Sequence, residues 1–113
     1  MPWSDADLTA IAGGPDVSGS PVGYTTTDLG GQGPAARVVY MGPRDWEGIR
    51  HVHELSLVSG GNWSHTDITA IAGGPAPFGA AMGYATDLGS QGPAARVLYS
   101  SEDRHIHELS MVG

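Results

Sequence analysis

The chain contains no cysteine, which excludes both a disulfide framework and a thiolate metal site and leaves the redox compartment unread. Positive charge is scarce: five Lys and Arg stand against twelve Asp and Glu, for a net charge of −7. Binding to nucleic acid draws most of its affinity from cations that neutralise phosphates, so nucleic acid is not an expected partner, and neither is an anionic membrane surface. No segment approaches the roughly 20 apolar residues of a membrane span. The opening Met-Pro-Trp-Ser-Asp also lacks a basic stretch followed by an apolar run. No membrane insertion is therefore expected. Charged residues make up only 15% of the chain, beside 18 Gly and 8 Pro, a balance that can signal disorder. Here the Gly and Pro stand at fixed places between short β-branched and aromatic runs, which is the turn punctuation of an all-β chain.

Those fixed places come from a duplication with an offset of about sixty residues. Trp3-Ser-Asp-Ala-Asp-Leu-Thr-Ala-Ile-Ala-Gly-Gly-Pro15 returns as Trp63-Ser-His-Thr-Asp-Ile-Thr-Ala-Ile-Ala-Gly-Gly-Pro75. Gly23-Tyr24 returns as Gly83-Tyr84, Gln32 to Tyr40 as Gln91 to Tyr99, and His51 to Leu57 as His105 to Met111. The repeats are divided at 1–61 and 62–113. A unit of this size cannot bury its own apolar faces, so it has to stack on others of its kind.

Four short strands are read in each repeat: residues 21–26 and 81–86, residues 36–40 and 95–99, residues 51–57 and 105–111, and residues 63–69 with their counterpart 3–9. The Ala-Ile-Ala-Gly-Gly-Pro tracts at 10–15 and 70–75 are read as crossover loops, because Gly-Gly-Pro stops a helix within a turn. The repeats differ most in loops: Met41 to Arg50, which carries Trp46, is longer than Ser100 to Arg104. Tandem four-stranded antiparallel units of this kind predict a β-propeller with two blades per chain. The chain opens on a fourth strand and closes on a third, so its ends are complementary. The expectation is a cyclic homo-oligomer formed head to tail, with strand Trp3 to Thr9 completing a neighbour's blade.

The succession Gly19-Ser-Pro-Val22, Ala36-Arg-Val-Val-Tyr40, His53-Glu54 and Gly61-Asn-Trp63 resembles a blade of the fungal and bacterial fucose-binding propeller lectins, and both repeats carry the pattern. The resemblance implies sugar sites between adjacent blades, and two-blade chains that close as six-bladed trimers. It implies that Arg37 with Glu54, and Arg96 with Glu108, hold sugar hydroxyls, while Trp63 and Trp3 stack on the apolar sugar face. The implied function is multivalent binding of glycans, fucosylated ones among them. Two departures stand out. Leu57 and Met111 occupy a position where the family carries an aromatic, and the Trp46 loop stretches the interval from Arg37 to Glu54.

Each motif also has a structural reading. Arg and Glu on adjacent strands can form a cross-strand ion pair that fixes register. The tryptophans can pack between sheets, and Tyr24, Tyr40, Tyr84 and Tyr99 are read as core or channel-lining. His51 with His53, and His105 with His107, are two apart and share a strand face, but no third ligand is evident in the sequence, so no metal site and no cofactor are expected. The acidic Asp5, Asp7 and Asp67 are read as turn formers at strand ends. No nucleophile elbow or phosphate loop is present, so the chain is not expected to be an enzyme. The alternative to a lectin is a structural or protein-interaction propeller without sugar specificity.

Overall fold

A computed structural model describes residues 3–29 and 31–113; Met1, Pro2 and Gly30 lie outside it, and with them part of the expected head-to-tail junction. The described chain forms two antiparallel sheets and two single-turn α-helices, in keeping with the all-β class. The first sheet has the order β1 (Val22–Thr26), β2 (Ala35–Met41), β3 (Val52–Val58), β4 (Trp63–Asp67). The second has β5 (Pro77–Asp87), β6 (Pro93–Ser101) and β7 (Ile106–Val112). Strand β4 belongs to the second sequence repeat but pairs with β3 of the first, placing Trp63 opposite Leu57 and Asp67 opposite His53.

Two expectations need correction. The Ala-Ile-Ala tracts are helical: α1 (Leu8–Ala12) and α2 (Ile68–Ala72) each begin at an aspartate, Asp7 or Asp67, whose carboxylate accepts the backbone N–H of Ala10 or Ala70. Each ends at a glycine in the left-handed region, Gly13 at φ 73° and Gly73 at φ 71°. Gly-Gly-Pro thus terminates one full turn rather than preventing it. The second correction concerns Trp3 to Thr9. Within this chain Trp3–Asp7 pairs with no sheet, and Leu8 and Thr9 open α1.

Strand alternation gives each sheet two distinct faces. One face of the first sheet carries Val22, Tyr24, Arg37, Val39, Val52, Glu54 and Ser56. It packs on Ala81, Val97, Tyr99 and Leu109 of the second sheet, and the resulting core includes Val39, Val52 and the partly buried Val22, Tyr24 and Ile68. The approach is close at Gly83, where a Cβ would fall 2.2 Å from Tyr24 Cε1. The other face of the first sheet lies under α1 and the turn after it: the Tyr40 hydroxyl donates to the Pro15 carbonyl at 2.9 Å. Helix α2 holds the same place on the second sheet, with Tyr99 donating to the Pro75 carbonyl at 2.9 Å. Because α2 follows β4 directly, it crosses from the first sheet into the space between the sheets.

The second sheet's remaining face has no such cover among the described residues. Met82, Tyr84, Ile106 and Val112 on it are exposed, as is Trp3, at 101% of its reference surface. No described helix is long and apolar enough to cross a membrane.

Candidate functional site

Tyr24 and Arg37 are cross-strand partners, and Glu54 lies opposite Val39, one pleat along the same face. Long side chains at such diagonal positions reach one another. Arg37 Nη1 donates to Glu54 Oε1 at 2.8 Å, its Nε to Thr26 Oγ1 at 3.0 Å and its Nη2 to Gln32 Oε1 at 3.3 Å. The Tyr24 hydroxyl donates to Glu54 Oε2 at 2.8 Å. Burial, and then the carboxylate beside it, push the Tyr24 hydroxyl far above its ordinary pKa, so it remains a donor. The ion pair is almost closed to water, with side-chain exposures of 4% for Arg37 and 9% for Glu54.

The second repeat builds the same cluster. Arg96 Nη1 donates to Glu108 Oε1 at 2.6 Å and its Nε to Thr86 Oγ1 at 2.7 Å, while its Nη2 bonds Gln91 Oε1. The Tyr84 hydroxyl donates to Glu108 Oε2 at 2.9 Å. What differs is the surroundings. Arg37 and Glu54 border a cavity of about 490 Å³ whose far wall includes Ile68, Ile71 and Ala72 of α2, together with Val97, Leu109 and Met111. Arg96 and Glu108 face outward on the uncovered face, and the Glu108 side chain is 33% exposed.

The structure therefore brings Arg37 to Glu54 and Arg96 to Glu108, each pair within one sheet. It does not bring Trp63 to them. Ser64 and Thr66 line the cavity, whereas Trp63 alternates to the opposite face of β4, level with Leu57. Trp3 stands fully exposed on an unpaired segment. The aromatic group at each Arg–Glu pair is instead a tyrosine, Tyr24 or Tyr84, with Thr26 or Thr86 and Gln32 or Gln91 holding the guanidinium. Tyr40 and Tyr99 are buried, as expected of core residues, whereas Tyr84, read the same way from the sequence, is exposed. The matched recurrence of Tyr, Thr and Gln in both repeats was the available signal for the larger cluster. Asp7 and Asp67, read from the sequence as turn formers at strand ends, instead cap the two helices.

Beneath α1 lies a histidine cluster. His51 Nε2 is 2.9 Å from Asp45 Oδ2 and its Nδ1 is 2.9 Å from Asp67 Oδ2. His53 Nδ1 lies 2.8 Å from His65 Nε2, and its ring stacks on those of Tyr40 and His65. Burial alone would lower the His51 pKa, but the two aspartates outweigh it and hold the pKa above its ordinary value. Burial dominates at His53 and, with the neighbouring His65 and His51, lowers its pKa against the pull of Asp67.

No family model matches the chain, and no curated protein or solved structure matches it either.

Proposed function

We propose that the protein is a multivalent carbohydrate-binding lectin: a β-propeller closed from several copies of the chain, with sugar sites between adjacent sheets. The observation that carries the reading is the meeting, at one cavity, of a charge-assisted Arg37–Glu54–Tyr24 cluster with an apolar wall from α2, β6 and β7. A pyranose offers vicinal hydroxyls to the first and a C–H face to the second. The volume also falls in the range of about 300–1,000 Å³ typical of small-ligand sites. The second cluster lacks only the opposing wall. In the first, that wall begins with Ile68, Ile71 and Ala72, whose sequence counterparts are Leu8, Ile11 and Ala12. A neighbouring copy that pairs its Trp3–Asp7 segment with β7, as β4 pairs with β3, brings those residues to Arg96 and Glu108. Individually weak sites then act together on a glycan-covered surface, since later contacts are effectively intramolecular.

One observation favours the structural alternative. Thr26, Gln32 and Tyr24 already occupy Arg37 and Glu54, so the cluster can serve register and packing without a ligand. Glycan-array binding separates the two readings. For a lectin, an array signal from the wild type, fucosylated glycans included, falls in Arg96→Ala while the oligomer persists. An assembled protein that binds no glycan overturns the reading, and one that binds equally well in Arg96→Ala removes the second-repeat site.

A further inference from the structure

The short loop before β7 builds a second, unrelated constellation on the outer edge of the second sheet. Asp103, His105 and His107 each present one ligand atom, and the three atoms lie within 4.8 Å of one another. His107 Nε2 is 3.0 Å from Asp103 Oδ2, and His105 Nδ1 is 3.7 Å from the same oxygen. Ligand atoms about 2.0–2.1 Å from a tetrahedral zinc ion stand roughly 3.3 Å apart, so these separations bracket what such an ion requires. Asp103 is also held in place: its Oδ1 accepts from the Ser101 hydroxyl and, at 3.0 Å, from the backbone N–H of His105. Outer-shell bonds of this kind orient a ligating carboxylate.

The matched residues of the first repeat explain why the site lies here. There β4 supplies Asp67 to His51 and His65 to His53, and the long Trp46 loop brings Asp45 to the other nitrogen of His51. His51 Nε2 and His53 Nδ1 are thereby taken up by Asp45 and His65, and His51 Nδ1 is buried beside Asp67 without a hydrogen bond of its own. Strand β7 has no strand on its outer edge among the described residues, so His105 and His107 have only Asp103 in common.

We propose that Asp103, His105 and His107 bind a divalent transition-metal ion of the zinc type, through two imidazoles and one carboxylate. On the ring reading above, a second copy lays its Trp3–Asp7 segment along β7, and the residue at the place of His65 is then Asp5. Its carboxylate supplies the fourth ligand at the junction between copies; without a second copy, water takes that position.

The test is titration of the full chain with cobalt(II), followed by visible absorption, and with zinc by calorimetry. One ion per chain and the absorption of four-coordinate cobalt are expected. His107→Gln, which keeps an N–H for Asp103 but offers no imidazole, should weaken binding by more than the roughly 10–100-fold that loss of a supporting outer-shell partner gives. His105→Ala should do the same, whereas His51→Ala should leave the cobalt spectrum unchanged. Absence of binding, or a spectrum that survives in His107→Gln, overturns the proposal. One ion per chain on a species that remains monomeric supports the three-residue site while counting against the ring. Weaker binding in Asp5→Asn, seen only when the chain is assembled, supports the shared ligand, and unchanged binding in the assembled Asp5→Asn protein overturns that part.

Discussion

At the scale of single residues, equal sequence does not mean equal energetic weight. Glu54 and Glu108 make matching bonds, but Glu54 neutralises an arginine that is 4% exposed, whereas Glu108 lies on an open face. Removing one partner of a buried ion pair leaves the other charge uncompensated, at a cost of about 3–5 kcal/mol. Glu54→Ala is therefore expected to lower unfolding stability by roughly that amount, and Glu108→Ala by clearly less in the dilute chain; urea denaturation compares them directly. Gly83 is the other sensitive position. An alanine Cβ there meets Tyr24 Cε1 at 2.2 Å and Cδ1 at 2.4 Å, and the ring is not free to swing because its hydroxyl is fixed on Glu54. Overpacking of this kind costs about 1–3 kcal/mol, which is the loss expected for Gly83→Ala. In a Tyr24→Ala background most of that penalty should vanish, a coupling that a double-mutant cycle measures.

At the scale of elements, alternation and turn residues made most strands readable, because Gly and Pro bracket each apolar run and the duplication supplies three strand centres twice, whereas the counterpart of β4, Trp3–Asp7, pairs with no sheet in this chain. The one-turn helices were not readable as such. Their existence depends on Asp7 and Asp67 acting as caps, a role that competes with the turn reading of the same residues. The Arg–Glu pairs were visible as motifs, but the place of Trp63 depends on the register between β3 and β4. That register sets Ser64 and Thr66 toward the cavity and turns Trp63 away, and nothing local in the sequence fixes it. The same pairing creates the histidine cluster, with a consequence for pH. His53 has a lowered pKa, so the unfolded chain takes up its proton first, and the stability His53 contributes is lost as pH falls from about 6.5 through the lower folded value. His51 has a raised pKa, so its ion pairs with Asp45 and Asp67 contribute fully below about 6.5 and fade as pH rises through the higher folded value. On going from pH 7 to pH 5, His53→Gln should therefore lose less thermal stability than the wild type. His51→Ala should lose more stability at pH 6 than at pH 8.

At the scale of the whole molecule, the two sheets are covered unequally, and the uncovered groups match one another. Tyr24 of the first sheet packs on Gly83 of the second; their counterparts Tyr84 and Gly23 have no such contact, and a Cβ on Gly23 would meet only the Arg37 carbonyl at 3.8 Å. Tyr84 lies on the open face of the second sheet, while Gly23 lies on the face of the first sheet that α1 covers. A second copy stacked as the second sheet stacks on the first sets Tyr84 of one chain against Gly23 of the next. The same placement brings α1 over Arg96 and the Trp3–Asp7 segment along β7. Repetition of a head-to-tail contact closes a ring when the rotation allows it, and three two-blade chains are the ring that the lectin resemblance implies. Gly23→Ala then becomes a selective probe. In the isolated chain the methyl group makes only an ordinary contact, with the Arg37 carbonyl at 3.8 Å, so secondary structure and unfolding midpoint at low concentration should stay near those of the wild type. In the assembly it meets Tyr84 as a methyl on Gly83 meets Tyr24, and a penalty of about 1–3 kcal/mol at every junction should shift the oligomer toward monomer. Native mass measurement over a dilution series reads the result. A wild-type chain that remains monomeric at high concentration removes the ring, and an oligomer that withstands Gly23→Ala removes this stacking geometry.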